Sequence, residues 1–305
     1  MAFETPVAFF IFNRPDLTRR VFAAIRDARP TRLLVVADGA RYEAEEALCQ
    51  QARVIVDGVD WPCEVETNFS ATNLGCKRRV SSGMDWVFSR VEEAIILEDD
   101  CLPHPSFFGY CAELLEKYRD DERIMMISGD NFQKQPTSSD SYYFSHYTHI
   151  WGWATWRRAW QHAVFELSLW QKFRDEGLLP FSTTENQYWK GIFGRTHAGL
   201  IDTWDYQWQF AVLTQNGLVI LPNRNLVSNL GFGPAATHTT SPSPRSEMPT
   251  FDIGSLQHPD IVAPHAHADA LTFSTVFHAE DSMKLWHRIR RRAKRILLNK
   301  TRGGA

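Results

Sequence analysis

The chain is poor in cysteine, has no long apolar run and carries no large excess of either charge. Its five cysteines (Cys49, Cys63, Cys76, Cys101 and Cys111) are scattered, odd in number and contain no C-x-x-C pair. That pattern excludes a disulfide framework and a zinc ribbon, and the expected compartment is a reducing cytoplasm. No window approaches the roughly 18 uninterrupted apolar residues that a membrane-spanning helix needs. The apolar run Val7–Phe12 follows an acidic, Pro-containing start with no basic stretch or small-residue cleavage site, so it reads as a first strand rather than a signal peptide. No internal repeat is visible. A charged content of 23% with 44% hydrophobic residues excludes disorder, and 305 residues suffice for one large domain or two small ones.

The near balance of charge is a cancellation. From Lys284 to Ala305 there are nine Lys/Arg and no Asp or Glu, so the formal net charge of −3 becomes −12 for residues 1–283. An acidic body with a basic tail disfavours nucleic acid as a partner. In the tail, Leu285, Trp286, Ile289 and Ile296 flank a dense basic face, as in an amphipathic helix lying on an anionic membrane surface.

The first third alternates strand and helix. Apolar runs at Val7–Phe12, Leu33–Ala37 and Ala94–Leu97, with a further short strand around Val65, are separated by helical spacing over Leu17–Ala28, Glu43–Val56 and Lys77–Val91, with Asp16 placed to cap the first helix. Continuous apolar strands between helices indicate an α/β fold, with a mostly parallel central sheet covered by helices on both faces. Ligands of such sheets sit at the carboxyl ends of the strands. Asn13-Arg14, Asp38 and Glu98-Asp99-Asp100 all fall there. We divide the chain into a nucleotide-binding half (1–130), a second half of the same domain (131–240), an irregular stretch (241–283) and the basic tail (284–305).

Each motif has an ordinary reading beside its chemical one. Three adjacent carboxylates usually form a solvated cap. After a buried strand they repel one another unless neutralised, and a hard divalent ion shared with a ligand's phosphates is a natural partner. Asp38 before Gly is alone an ordinary turn. Arg14 offers planar donors to a phosphate or base. Asn73, Lys77 and Arg78 open a helix, where amides and basic side chains suit a diphosphate. Eight of the eleven Trp lie between Trp151 and Trp208. Much of that cluster is core, yet Trp151, Trp153 and Trp204 with Asp130, Asn131, Asp202, Asp205 and Gln207 also describe a sugar site with a carboxylate base. His265-Ala-His267-Ala-Asp269 resembles a hydrolase metal motif but lacks its next His and reads as linker. His238, after Gly231-Phe-Gly233, is a candidate to close on a metal or pyrophosphate.

The order of these motifs resembles the GT-A-fold glycosyltransferases, specifically the N-acetylglucosaminyltransferase I type and its bacterial relatives, over residues 6 to 240. Asn13-Arg14 is similar to the family's first turn, Asp38 to the Asp that reads uracil, and Glu98-Asp99-Asp100 with Pro105-Ser-Phe-Phe108 to its Glu-Asp-Asp element. The resemblance implies that Glu98 and Asp99 address the nucleoside and that Asp100 binds Mn²⁺ (or Mg²⁺). Ser128-Gly-Asp-Asn131 matches the segment approaching the donor sugar, and Trp151–Trp156 a Gly-x-Gly-Trp element. Trp204–Trp208 matches the Trp-Asp-Asp-Trp element that carries the base. Here Tyr206 replaces the family's second Asp, which leaves Asp205 as base with Asp202 in reserve. The implied activity is inverting, metal-dependent transfer of a sugar, GlcNAc by analogy, from a UDP-sugar to a carbohydrate or glycolipid acceptor. The cysteine pattern and the basic tail, rather than the resemblance, give the expected location as cytoplasmic, peripheral on the inner face of the membrane. A nucleotidyltransferase and a non-catalytic carbohydrate-binding protein are the competing readings. The first lacks a Gly-rich triphosphate loop, and the second leaves the strand-end carboxylates unexplained.

Overall fold

The computed structural model describes residues 3–232 and 245–278. His238 and the basic tail lie outside the described residues. The first half runs β1 (Val7–Ile11), α1 (Pro15–Ala28), β2 (Arg32–Ala37), α2 (Glu43–Val54), β3 (Glu64–Phe69), α3 (Cys76–Arg90) and β4 (Glu93–Glu98). A short β5 (Cys101–Pro103) and α4 (Ser106–Lys117) follow. Then come β6 (Ile124–Ser128), β7 (Tyr142–Ser145), β8 (Trp153–Trp156), α5 (Arg157–Trp160), α6 (Trp170–Glu176), α7 (Thr183–His197) and α8 (Asp205–Thr214). The described chain closes with β9 (Leu218–Pro222), β10 (Val227–Asn229) and α9 (Ala266–Thr272).

The apolar runs become buried strands because both of their faces are covered. Val7, Phe9 and Ile11 join Leu33, Val35 and Ala37 in a core beneath α1 and α4. Ala8 and Phe10 join Leu34 and Val36 in a second core beneath α3 and α8. The period of two thus splits each run between two cores. The eight-stranded sheet has the order β3-β2-β1-β4-β8-β6-β9-β7. Strands β3, β2, β1 and β4 are parallel, β6 is parallel to β9, and β8 and β7 run the other way. The expected α/β fold with a mostly parallel sheet is therefore what the chain adopts. Its second half is mixed, because β8 is inserted in reverse between β4 and β6. That reversal brings the start of β8, next to Trp151, to the same edge as the carboxyl ends of β4 and β6.

Two local expectations change. Helix α1 begins at Pro15, with Arg14 rather than Asp16 at the cap, and Asp16 lies in the first turn. Proline suits that place because the missing N–H has no helical partner there anyway. The stretch read as irregular contains α9, capped by the ring of His265, whose Nδ1 accepts from the Ala268 N–H at 3.2 Å. Asp269 pins α9 to β7: it accepts from Ser145 Oγ at 2.5 Å and from the His146 N–H at 3.1 Å. The His265–Asp269 motif is thus a docking element and brings no ligand set together.

Helix α3 approaches the sheet closely at Gly83. A Cβ there would lie 2.7 Å from both Phe10 Cε1 and Val36 Cγ1, on adjacent strands. That contact sets how far the N-terminus of α3 stands over the ends of β1 and β2.

Candidate active site

Four parallel strands deliver polar residues to one edge. Beyond β1 stand Asn13 and Arg14, beyond β2 Asp38, beyond β3 the loop to Asn73, and at the end of β4 Glu98 to Asp100. Asp99, 2% exposed, joins β4 to β1 by accepting from the Phe12 N–H at 3.1 Å. The Arg14 guanidinium forks across the acidic pair: Nη2 pairs with Asp99 Oδ1, and Nη1 donates to Asp100 Oδ2 at 2.8 Å. Burial opposes the Arg14 charge, but Asp99 and Asp100 outweigh it and raise its pKa further. One guanidinium does not balance the cluster. Burial first, then Asp100 and Asp99, push the Glu98 carboxyl above the usual carboxylate range.

Gly231 covers this ion pair. The Leu230 N–H donates to the Asp100 carbonyl at 2.8 Å, which lays residues 230–231 across the end of β4. A Cβ on Gly231 would overlap the Asp100 carboxylate and lie 2.9 Å from Arg14 Nη1.

The Asp38 carboxylate is occupied from within. It accepts from the backbone N–H groups of Gly39, Leu74 and Gly75 at 2.9, 2.9 and 3.0 Å, and from Asn73 Nδ2 at 3.1 Å. Four donors match the acceptor capacity of a carboxylate. Asp38 and Asn73 therefore clamp the loop before α3 onto the end of β2. Asn13 is likewise held, donating to Glu45 Oε1 at 2.9 Å. Lys77 and Arg78 lie in the first turn of α3, half-buried and exposed respectively.

The second half meets this edge at α8. Asp205 occupies the first position of α8 and accepts from Thr203 Oγ1. Glu98 feels the Asp205 charge. The half-buried Cys76 thiol, at the start of α3, feels Glu98, Asp205, Asp202 and Asp100; burial first and then these charges push it up to about 12. Cys76 thus marks where α3, β4 and α8 converge. Asp202 is exposed and Asp205 half-buried.

Beside them Asp130, 1% exposed, holds the start of β8: its Oδ1 accepts from the Trp151 N–H and from Ser128 Oγ, both at 3.0 Å. Its Oδ2 lies 3.5 Å from His149 Nδ1. Both ring nitrogens of His149 and this Oδ2 are buried without hydrogen-bond partners among the described residues. Asn131 is structural, bonded to the Pro222 carbonyl at 2.6 Å and to Gln133 and Asn225.

The tryptophans divide unevenly. Trp153 and Trp204 stack with ring centroids 5.6 Å apart, at 1% and 3% exposure, and offer no face to a ligand. Of the eight between 151 and 208, only Trp151 is half-buried, its ring against Phe132 and Phe232 at 4.9 and 5.6 Å. Sequence reasoning missed Glu45, Cys76, His149 and Gly231 as parts of this edge. Glu45 left a signal, because it shares one helical face with the buried Cys49 and Ala52 at spacings of four and seven.

Among the described residues, no group of three or more His, Cys, Asp and Glu is arranged to hold a metal ion by itself. No helix there is long and apolar enough to cross a membrane.

No family model matches the chain, and no curated protein matches it. Among solved structures it is similar to residues 1–349 of TarS from S. aureus, at 8% identity and a TM-score of 0.41, over 73% of this chain and 60% of that one. It is also similar to UDP-glucose pyrophosphorylase complexed with UDP-glucose, at 12% identity and a TM-score of 0.27, over 46% of this chain and 62% of that one. The chain spans about three fifths of the length of each of these neighbours.

Proposed function

We propose that the protein is a GT-A-type, metal-dependent inverting glycosyltransferase that moves a sugar, GlcNAc by analogy, from a UDP-sugar to an acceptor hydroxyl. The observation that carries this reading is the meeting of Arg14, the Glu98–Asp100 cluster, the start of α3 and Asp205 at one edge of the sheet. The donor set suits Mn²⁺ or Mg²⁺. Asp100 supplies hard oxygen at a partly open position, its side chain 14% exposed, and Glu98 stands beside it at the end of β4. Such an ion is commonly held by one or two carboxylates together with the ligand's phosphates, so a preassembled protein cage is not required. When bound, it would offset charge on the departing diphosphate.

The chain's own groups do the rest. Lys77 and the amides at the start of α3 face the same edge and suit a diphosphate. Asp38 and Asn73 act by holding that loop, which assigns them to positioning rather than to direct reading of the base. Asp205 takes the acceptor proton while the acceptor oxygen attacks the anomeric carbon opposite the leaving group, which inverts the centre. Thr203 orients its carboxylate, and Trp151 is the aromatic face available to a sugar ring. A glycolipid acceptor fits a basic tail held at the inner face of a membrane, and a polysaccharide or cell-surface glycan fits the same chemistry.

The test is incubation with UDP-sugars and Mn²⁺ without acceptor, watching for slow release of UDP by hydrolysis. Asp100→Ala is expected to abolish release while leaving the thermal melt intact. Full activity in that variant, or in excess EDTA, overturns the metal role. Pyrophosphate from UTP would instead identify a nucleotidyltransferase, and neither product a binding module.

A further inference from the structure

We infer that Arg14 is an exchangeable counter-ion: without ligand its guanidinium holds the place on Asp100 that a divalent cation takes when nucleotide binds, so cation and nucleotide bind as a pair. The inference rests on the metal–nucleotide reading above and adds how the two are coupled.

The two ends of the fork are not equivalent. Asp99 is 2% exposed and its second oxygen is fixed by the Phe12 N–H, so the Nη2 end is locked between β1 and β4. The Asp100 side chain is 14% exposed, and among the described residues its Oδ1 has only the weak contact from the Cys101 thiol at 3.6 Å. The Nη1 end is therefore the releasable one. Gly231 lays backbone against the pair, where a Cβ would overlap the Asp100 carboxylate.

The charges give the exchange a direction. One guanidinium pairs with two carboxylates, Asp99 and Asp100, so this edge keeps an excess of negative charge before any ligand arrives. A nucleoside diphosphate arriving alone is repelled. A dication arriving alone must compete with a charge-assisted hydrogen bond. Arriving together, the dication takes Asp100, and the freed Nη1 of Arg14 becomes a planar donor for phosphate while Nη2 stays on Asp99. Each ligand then strengthens the other by the same factor.

Mn²⁺ binding followed by electron paramagnetic resonance, without and with saturating UDP, tests this. In the wild type, UDP is expected to tighten Mn²⁺ binding at least tenfold. Arg14→Gln is expected to bind Mn²⁺ alone at least tenfold more tightly than the wild type does, and to lose most of the UDP enhancement. Arg14→Lys, whose single ammonium cannot fork, should fall between. Asp100→Asn should bind no Mn²⁺ in either background. Should Arg14→Gln fail to fold, ¹⁵N-arginine spectra of the wild type decide, with the Arg14 signal assigned by its loss in Arg14→Lys. That signal is expected to shift with Mg²⁺ and UDP together and not with either alone. No gain in Mn²⁺ affinity in a folded Arg14→Gln, or an unmoved Arg14 signal, overturns the exchange. If UDP leaves Mn²⁺ binding unchanged and Asp100→Asn has no effect, the metal–nucleotide reading itself fails.

Discussion

At the scale of single residues, side chains of one type take different roles through their partners. Asp38 is saturated by four donors and positions a loop, whereas Asp205, on the first turn of α8, keeps a half-buried carboxylate beside the acidic edge. Removing a general base typically lowers the rate about 10²- to 10⁴-fold. Asp205→Asn is therefore expected to lose that much kcat with UDP binding unchanged by calorimetry; a rate within threefold of wild type removes Asp205 as base. Glu45 gives a pH signature. The Arg41 hydrogen bonds, chiefly, lower its pKa from 4.5 to about 2 despite opposing burial. A lowered carboxylate stabilises the fold above about pH 4.5, and that stability disappears as the pH falls towards 2. Melting curves of wild type and Glu45→Gln should differ at pH 6 and draw together as the pH falls through 2; a constant difference refutes the linkage. The acidic strand end and Arg14 were legible in the sequence because each follows an apolar run. The saturation of Asp38 was not, since three of its four donors come from residues 73–75, on the far side of α2 and β3.

At the scale of elements, α3 is the one whose placement matters most. Its N-terminus carries Cys76, Lys77 and Arg78 to the site, and Gly83 sets its distance from the sheet. Gly83→Ala would gain up to about 1 kcal/mol of helix propensity. It would also push a methyl into Phe10 and Val36, and overpacking costs about 1–3 kcal/mol. We expect a net fall in Tm of a few degrees together with weaker UDP binding, measured by scanning calorimetry and titration; an unchanged Tm shows that the helix can shift freely. Strands β1, β2 and β4 and helices α1 to α3 were readable from periodicity, apart from ends displaced by one or two residues, whereas β5, α4 and β6 were not. Strand β8 was not, because Trp153–Trp156 is four residues in a Trp-rich run whose pairing with β4 and β6 is entirely non-local.

At the scale of the whole molecule, charge is segregated along the chain, with −12 over residues 1–283 and nine basic residues after them. Each Lys or Arg near an anionic surface contributes about 1 kcal/mol, and it is this attraction that the proposed membrane role would use. Co-sedimentation with anionic liposomes is expected for the full chain and not for one ending at residue 283; equal partitioning removes the membrane role. The sequence by itself determined the α/β class, the first parallel strands and the acidic strand end, because apolar periodicity and strand-end chemistry are local properties of the chain. Tertiary structure alone decided the rest: which tryptophans are core, that Asp38 is a clamp, that Arg14 sits on Asp99 and Asp100, and that Asp205 of α8 reaches the edge built by β1 and β4. Those facts depend on interactions between residues 35 to 107 positions apart, and no local pattern encodes which distant partners a buried polar group will find.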